Sequence, residues 1–179
     1  SQKKHLQEEN VFLIEDGLPN ILKDKPYVGL EIGFGMGDSL LDVADKHPEQ
    51  FWVGVEVYHA GVASVIGQAK ANNLKNIALC IGDIFEILEH QIPDHSLNHV
   101  RIFFPDPWPK KKHLKRRLIQ APFLAVLARA MKPGGVLHIA TDNADYAQSC
   151  VERLQESTLY ELSNIQPFRP MTKFARKAI

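Results

Sequence analysis

Short apolar runs that end in acidic or glycine residues alternate along this chain with stretches of helical period, the pattern of a parallel sheet wrapped by helices. The first run, YVGLEIGFG at 27–35, predicts a buried strand opening into a glycine loop. A helix is expected over 39–46, ended near Pro48, then a second strand, FWVGVEV, at 51–57. The next helix, 60–73, keeps small and apolar residues on one face. IALCIG at 77–82 predicts a third strand, with Asp83 placed to cap a short helix, IFEILEHQI. LNHVRIFF at 97–104 is the fourth strand. RRLIQAPFLAVLARAMK predicts a long apolar helix, disturbed near Pro122 and stopped by Pro133 and the Gly134-Gly135 pair. GVLHIAT at 135–141 gives a fifth strand, ADYAQSCVERLQES a further helix and YELSNI a sixth strand. No internal repeat or linker divides the chain. One domain over 1–179 is expected, an α/β fold with a doubly wound, mostly parallel sheet and helices on both faces.

Composition changes this picture in one respect. A chain of 179 residues with 45% hydrophobic positions can bury a substantial core, but its formal net charge of +0 gives no global attraction for a polyanion. Such a partner must be met by a local patch, and 110–117 is the strong candidate: six of its eight residues are Lys or Arg, with His113 among them. Cys80 and Cys150 lie far apart without a CxxC pairing, which points to core packing in a reducing cytoplasm. No apolar run approaches membrane-spanning length, the start SQKKHLQEEN lacks a signal-peptide pattern, and the histidines show no metal-binding spacing. Neither a membrane nor a metal is expected.

The candidate chemistry begins immediately before the basic run. Pro105, Pro107 and Pro109 alternate with Asp106 and Trp108, and each ring pushes the residue before it out of the helical region. Asp106 is therefore expected on a stiff, extended segment beside a phosphate-sized patch of positive charge, which suggests work on a nucleic acid; the alternative is a solvated charged loop. Gly33, Gly35 and Gly37 form GxGxG between a strand and a helix, where a nucleotide-like ligand can approach bare backbone. The sixth position of a dinucleotide fingerprint is Asp38, which disfavours NAD. Glu56 at the end of the second strand is placed to take a ribose diol. Glu31, inside an apolar strand, needs a cationic partner: the sulfonium or ammonium of S-adenosylmethionine, or a structural lysine. Asp83 and Asp142 also read as simple helix caps. Yet Glu31, Glu56, Asp83 and Asp106 all fall at or near the carboxyl ends of successive predicted strands, where open α/β sheets bind ligands.

LEIGFGMGDS, GVEV, FFPDPWPKKKHLKRR, GGVLHIATDNADYA and RPMTKF together resemble the bacterial tRNA (guanine-N7-)-methyltransferase family over 31–174. The resemblance implies a Rossmann-like, class I, seven-stranded S-adenosylmethionine-dependent methyltransferase fold, with S-adenosylhomocysteine as product and a variable-loop guanine of tRNA as acceptor. It implies that Glu31, Glu56, Asp83 and Asp106 contact the methyl donor with the glycine loop, and that Asp106 belongs to the active site. Lys110, Asp142, Thr172, Lys173 and Phe174 match substrate-contacting positions. Lys112, His113, Leu114, Lys115, Arg116 and Arg117 match an RNA-interacting segment. Ala175 departs from a TKFE motif, and both ends look shorter than in the family.

Guanine N7 carries a lone pair and no hydrogen, so attack on a sulfonium methyl needs no general base. Asp106 is expected to orient and to stabilise developing positive charge, and Asp142 to accept from guanine N1 and N2. Trp108 and Phe174 either stack on an unstacked base or pack. The rival readings are a small-molecule methyltransferase, an NAD-linked oxidoreductase and a noncatalytic RNA-binding protein. Monomer and homodimer stay open.

Overall fold

The computed structural model describes residues 11–163. Six strands form one sheet: β1 (Val11–Leu13), β2 (Val28–Ile32), β3 (Phe51–Glu56), β4 (Ile77–Ile81), β5 (Leu97–Phe103) and β6 (Met131–Ala140). Their order is β1-β4-β3-β2-β5-β6, and every neighbouring pair is parallel. Every residue of β2 and β3 is buried, which is why both read as continuous apolar runs rather than as alternation. From β2 the chain steps outward through β3 to β4, then crosses to the far side of β2 for β5 and β6. The order thus reverses between β2 and β5, and a crevice opens there beyond the strands' carboxyl ends.

Helices cover both faces. α1 (Leu18–Leu22), α4 (Ile84–His90), α5 (Ala121–Ala130) and α6 (Ala144–Glu156) pack with Leu30, Ile32, Val100 and Ile102 on one side. α2 (Asp38–Lys46) and α3 (His59–Ala71) pack on the other, around Leu40, Val43, Trp52, Val62 and Leu79. In α2, Ser39, Leu40, Val43 and Ala44 make the buried stripe expected at three- and four-residue spacing. Asp38 sits in its first turn and Lys46 in its last, each matched to the helix dipole. Cys80 and Cys150 are buried free thiols, pushed up to about 11 by burial, largely so for Cys150, where Arg117 opposes it.

The chain departs from its predicted elements in three places. The helix expected from Arg116 begins at Ala121, and Pro122 lies in its first turn, where a missing N–H costs nothing. Met131 already pairs with Leu97, so β6 starts before Pro133; the register then jumps to His99 opposite Val136, and the two glycines lie in that irregularity instead of ending a helix. YELSNI does not enter the sheet over its described part, 160–163. The Tyr160 hydroxyl instead donates to Leu124 O at 2.7 Å, tying the chain to α5, while Asn164 and Ile165 lie outside the described residues. β1, three residues on the sheet edge, is too short to show a period.

Candidate active site

The glycine loop leaves β2 with Gly33, Gly35 and Gly37 at φ 67°, 59° and 90°, a left-handed conformation at every second residue that a side chain strains to adopt. Gly33 N donates to Val55 O at 2.8 Å and Gly37 N to Phe34 O at 3.0 Å, so the loop is a fixed turn. A Cβ added to Gly33 or Gly35 would meet nothing within 4 Å; bare backbone faces open space at both. Gly37 is different, since a Cβ there would lie 2.1 Å from Val65 Cγ2. Glu56, buried at the end of β3, accepts from Gly35 N at 2.8 Å through Oε2, and from Val57 N at 2.8 Å and Tyr58 N at 3.3 Å through Oε1. It therefore ties the loop to the turn entering α3. An ionised carboxylate has about four acceptor sites, so capacity for a hydroxyl remains. Val57 and Tyr58 stand exposed beside it, and so does Met36 of the loop.

Glu31 finds its cation inside the protein. Arg101, which sequence reading missed, sits opposite it in the β2–β5 register, and Nη1 lies 3.7 Å from Glu31 Oε2. Ser39 Oγ donates to that same oxygen at 3.0 Å and accepts from Arg101 Nη2 at 2.6 Å. The guanidinium also lies over the rings of Trp52, at 5.2 Å, and Phe103, at 4.7 Å. Neither a donor sulfonium nor a lysine is needed to explain the buried carboxylate. Burial raises Glu31 to about 7, against the opposing pull of Arg101 and Ser39. The available signal was an arginine in the apolar run LNHVRIFF, on the same strand face as His99 and Phe103.

Asp106 is exposed beyond β5, but its segment is not extended. Phe104 and Trp108 take φ of 51° and 41°, left-handed values that are outliers for bulky residues. The turn is held by Phe104 N donating to Ala140 O at 2.7 Å and Trp108 N donating to Asp106 Oδ1 at 3.3 Å. The prolines do keep these residues out of the right-handed helical region, yet the chain turns sharply at both. Trp108 is half-buried, edge-on to His113 at 5.7 Å, with the Arg116 guanidinium 4.9 Å from its ring.

The basic run forms a 3-10 helix, Lys111–Arg116. Lys110, Lys111, Lys112, Lys115 and Arg116 are exposed, while His113 and Leu114 are half-buried. Arg117 departs from the expected phosphate contact: it is buried, with Nε donating to Pro107 O at 2.7 Å and Nη2 paired with Asp145 at 2.6 Å. Asp83 is the cap of α4, its Oδ1 accepting from Phe85 N and Glu86 N, and it is exposed. Asp142 is exposed and caps nothing; Asn143 caps α6 by accepting from Tyr146 N at 2.8 Å.

Read across the sheet, Asp83 follows β4, Glu56 ends β3, the glycine loop follows β2, Asp106 follows β5 and Asp142 follows β6. They line one carboxyl-terminal edge on both sides of the crevice. Thr172, Lys173 and Phe174 lie outside the described residues. The cavity of about 470 Å³ lined by Tyr27, Trp52, His99 and Gly135 is at the opposite edge, away from this chemistry. Among the described residues there is no cluster of three or more His, Cys, Asp or Glu suited to a metal ion, and no helix long and apolar enough to cross a membrane.

An all-parallel sheet of this order, with a glycine loop and an acid-lined edge at the strand reversal, defines a Rossmann-like class I S-adenosylmethionine-dependent methyltransferase fold. Solved structures share it, two of them as follows. A precorrin-6y C5,15-methyltransferase from Geobacter metallireducens superposes with a TM-score of 0.58 at 18% identity, covering 78% of this chain and 67% of that one. A SAM-dependent O-methyltransferase from Thermotoga maritima gives 0.55 at 16% identity, covering 78% and 47%. The chain belongs to the family described as "Putative methyltransferase", whose model matches residues 25–179. Among its curated relatives are proteins named tRNA (guanine-N(7)-)-methyltransferase from Alkalilimnicola ehrlichii, 44% identical over 156 residues, and Nitrosococcus oceani, 48% identical over 148. These alignments cover 84% and 81% of this chain, which spans 66% and 63% of the relatives' own lengths.

Proposed function

We propose that this protein transfers a methyl group from S-adenosylmethionine to N7 of a guanine in tRNA, in the cytoplasm. The observation that carries the reading is the pairing of two features across the β2–β5 crevice: the bare glycine loop tied to Glu56, and the turn that presents Asp106 beside an exposed cationic helix. The relatives' names support the same substrate.

The residues fit the donor. Open space over Gly33 and Gly35 accommodates a ligand against bare backbone, Glu56 has acceptor capacity for ribose hydroxyls, and Val57 and Tyr58 offer apolar surface for a flat base. Glu31, Gly37 and Asp83 hold the walls of that site. When bound, S-adenosylmethionine supplies an electrophilic methyl on a sulfonium.

Asp106 serves by orientation and charge. No proton leaves guanine N7 during the reaction, so an exposed carboxylate held in a rigid turn is suited to aligning the ring and stabilising its developing positive charge. Asp142, free of capping duty, is available to guanine N1 and N2 donors, and Lys110 lies just beyond the Asp106 turn. Lys112, Lys115 and Arg116 hold phosphates without reading sequence. His113 packs edge-on against Trp108, and the Leu114 carbonyl accepts from Arg117 N, so these two residues shape the cationic segment rather than meet phosphate themselves.

The test incubates the protein with labelled donor and unmodified tRNA and maps N7-methylguanine by borohydride reduction and aniline cleavage. Label confined to a variable-loop guanine supports the reading. Label on a small molecule, undiminished by excess tRNA, overturns it.

A further inference from the structure

We propose that Arg117 is a positioning residue, locking the turn that carries Asp106 to the helix that follows Asp142, instead of a phosphate contact. The proposal rests on the function proposed above for those two acids. Arg117 is 5% exposed, and three separate contacts occupy its head. Nε donates to the carbonyl of Pro107, the residue after Asp106, at 2.7 Å. Nη2 pairs with Asp145, three residues after Asp142, at 2.6 Å. The guanidinium lies 4.8 Å from the ring of Tyr146, and Ile119 N donates to that tyrosine's hydroxyl at 3.3 Å, so the chain just beyond Arg117 is fastened to the same helix.

The turn needs such a fastening. Phe104 and Trp108 bracket Asp106 in left-handed conformations that persist only where the surroundings over-determine them. One planar fork reaching a carbonyl on the turn and a carboxylate on α6 fixes the distance between the two loops. A lysine, with a single compact head, cannot serve both directions. Phosphate binding requires a cation presented to solvent, a condition met by Lys112, Lys115 and Arg116 and not by Arg117.

The experiment compares the wild type with Arg117→Lys, Asp145→Asn and Lys115→Gln. It measures single-turnover methylation at saturating tRNA, S-adenosylhomocysteine affinity by calorimetry, tRNA affinity against salt, and the ¹⁹F spectrum of 5-fluorotryptophan-labelled protein, whose two tryptophans are Trp52 and Trp108. Arg117→Lys should slow methyl transfer about tenfold to a hundredfold, as expected for a misplacement near 1 Å. Donor affinity and the salt slope should hold, and the Trp108 resonance should shift or broaden while that of Trp52 stays. Asp145→Asn should do the same more mildly; with an Asp145 side chain 75% exposed, it carries the test if Arg117→Lys folds poorly. Lys115→Gln should instead reduce the salt slope by about 1 and leave both resonances in place. A shallower salt slope in Arg117→Lys with an unmoved Trp108 resonance would overturn the proposal. Should the wild type fail to methylate tRNA, the functional reading falls, and the ¹⁹F and salt arms still decide the role of Arg117.

Discussion

Arg101 and Glu31 face each other across β5 and β2, paired residue to residue in the ladder, with Nη1 3.7 Å from Oε2 and both side chains buried. Breaking a buried ion pair from one side strands a charge and costs about 3–5 kcal/mol, whereas removing both partners is far milder. Arg101→Met should therefore lower the unfolding free energy in urea by about that amount. The Glu31→Gln, Arg101→Met double variant should recover much of the loss. A double variant no better than Arg101→Met alone would show that the two side chains are not energetically coupled.

Glu31 also sets a pH dependence. Burial raises it from 4.5 to about 7, with Arg101 and Ser39 pulling the other way. Between those values the folded protein holds a proton that the unfolded chain has released, so stability falls as pH rises through the window and levels off above about 7. Thermal melts of the wild type and Glu31→Gln should diverge as pH drops from 7 toward 4.5, the wild type gaining relative to the variant.

His99 works with the opposite sign. Burial lowers it from 6.5 to about 4, with Arg101 and His138 adding repulsion. Its imidazole packs edge-on to Trp52 at 5.5 Å and stacks near His138 at 6.1 Å. The unfolded chain takes up this proton first, so the stability of the neutral form is fully present above pH 6.5 and is lost as pH falls toward about 4. A His99→Phe protein should lack this loss, which for the wild type reaches at most about 1.4 kcal/mol per pH unit. Chemical denaturation at pH 7 and pH 5 measures the difference.

Gly61 lets α3 approach the glycine loop. A Cβ there would sit 2.0 Å from Gly35 O and 3.6 Å from Glu56 Cγ, so Gly61→Ala must push the helix and the loop apart. The substitution should weaken S-adenosylhomocysteine binding by about tenfold or more, roughly 1.4 kcal/mol, in calorimetry while circular dichroism stays native. Unchanged affinity would mean that the donor does not depend on the loop's position.

Asp106→Asn keeps the turn's contact to Trp108 N available and removes the charge. Turnover on tRNA should fall by roughly a hundredfold, or about 2.7 kcal/mol, with donor affinity little changed. Equal loss in both measurements would move Asp106 from the reacting ring to the donor.

The strands were legible because β2, β3 and β4 are buried runs bounded by glycine and acid, and the cap at Asp83 followed from one residue's place before a helix. Other features had no local signature. Arg117 looks in sequence like its cationic neighbours, and only the arrival of α6 beside it distinguishes a clamp from a phosphate contact. Arg101 was hidden because an apolar run advertises a strand and says nothing about which strand lies alongside. The prolines announced an unusual backbone around Asp106, but the positive φ of Phe104 and Trp108 depends on hydrogen bonds to Ala140 and Asp106 themselves.

The reversal of strand order between β2 and β5 also partitions the polypeptide. The glycine loop, Glu56 and Asp83 all precede β5, whereas Asp106, the cationic helix and Asp142 all come after it. Under the proposed function, chain position thereby maps onto the two banks of the cleft, so transplanting the later half from another member of the fold should exchange the acceptor while donor affinity is kept.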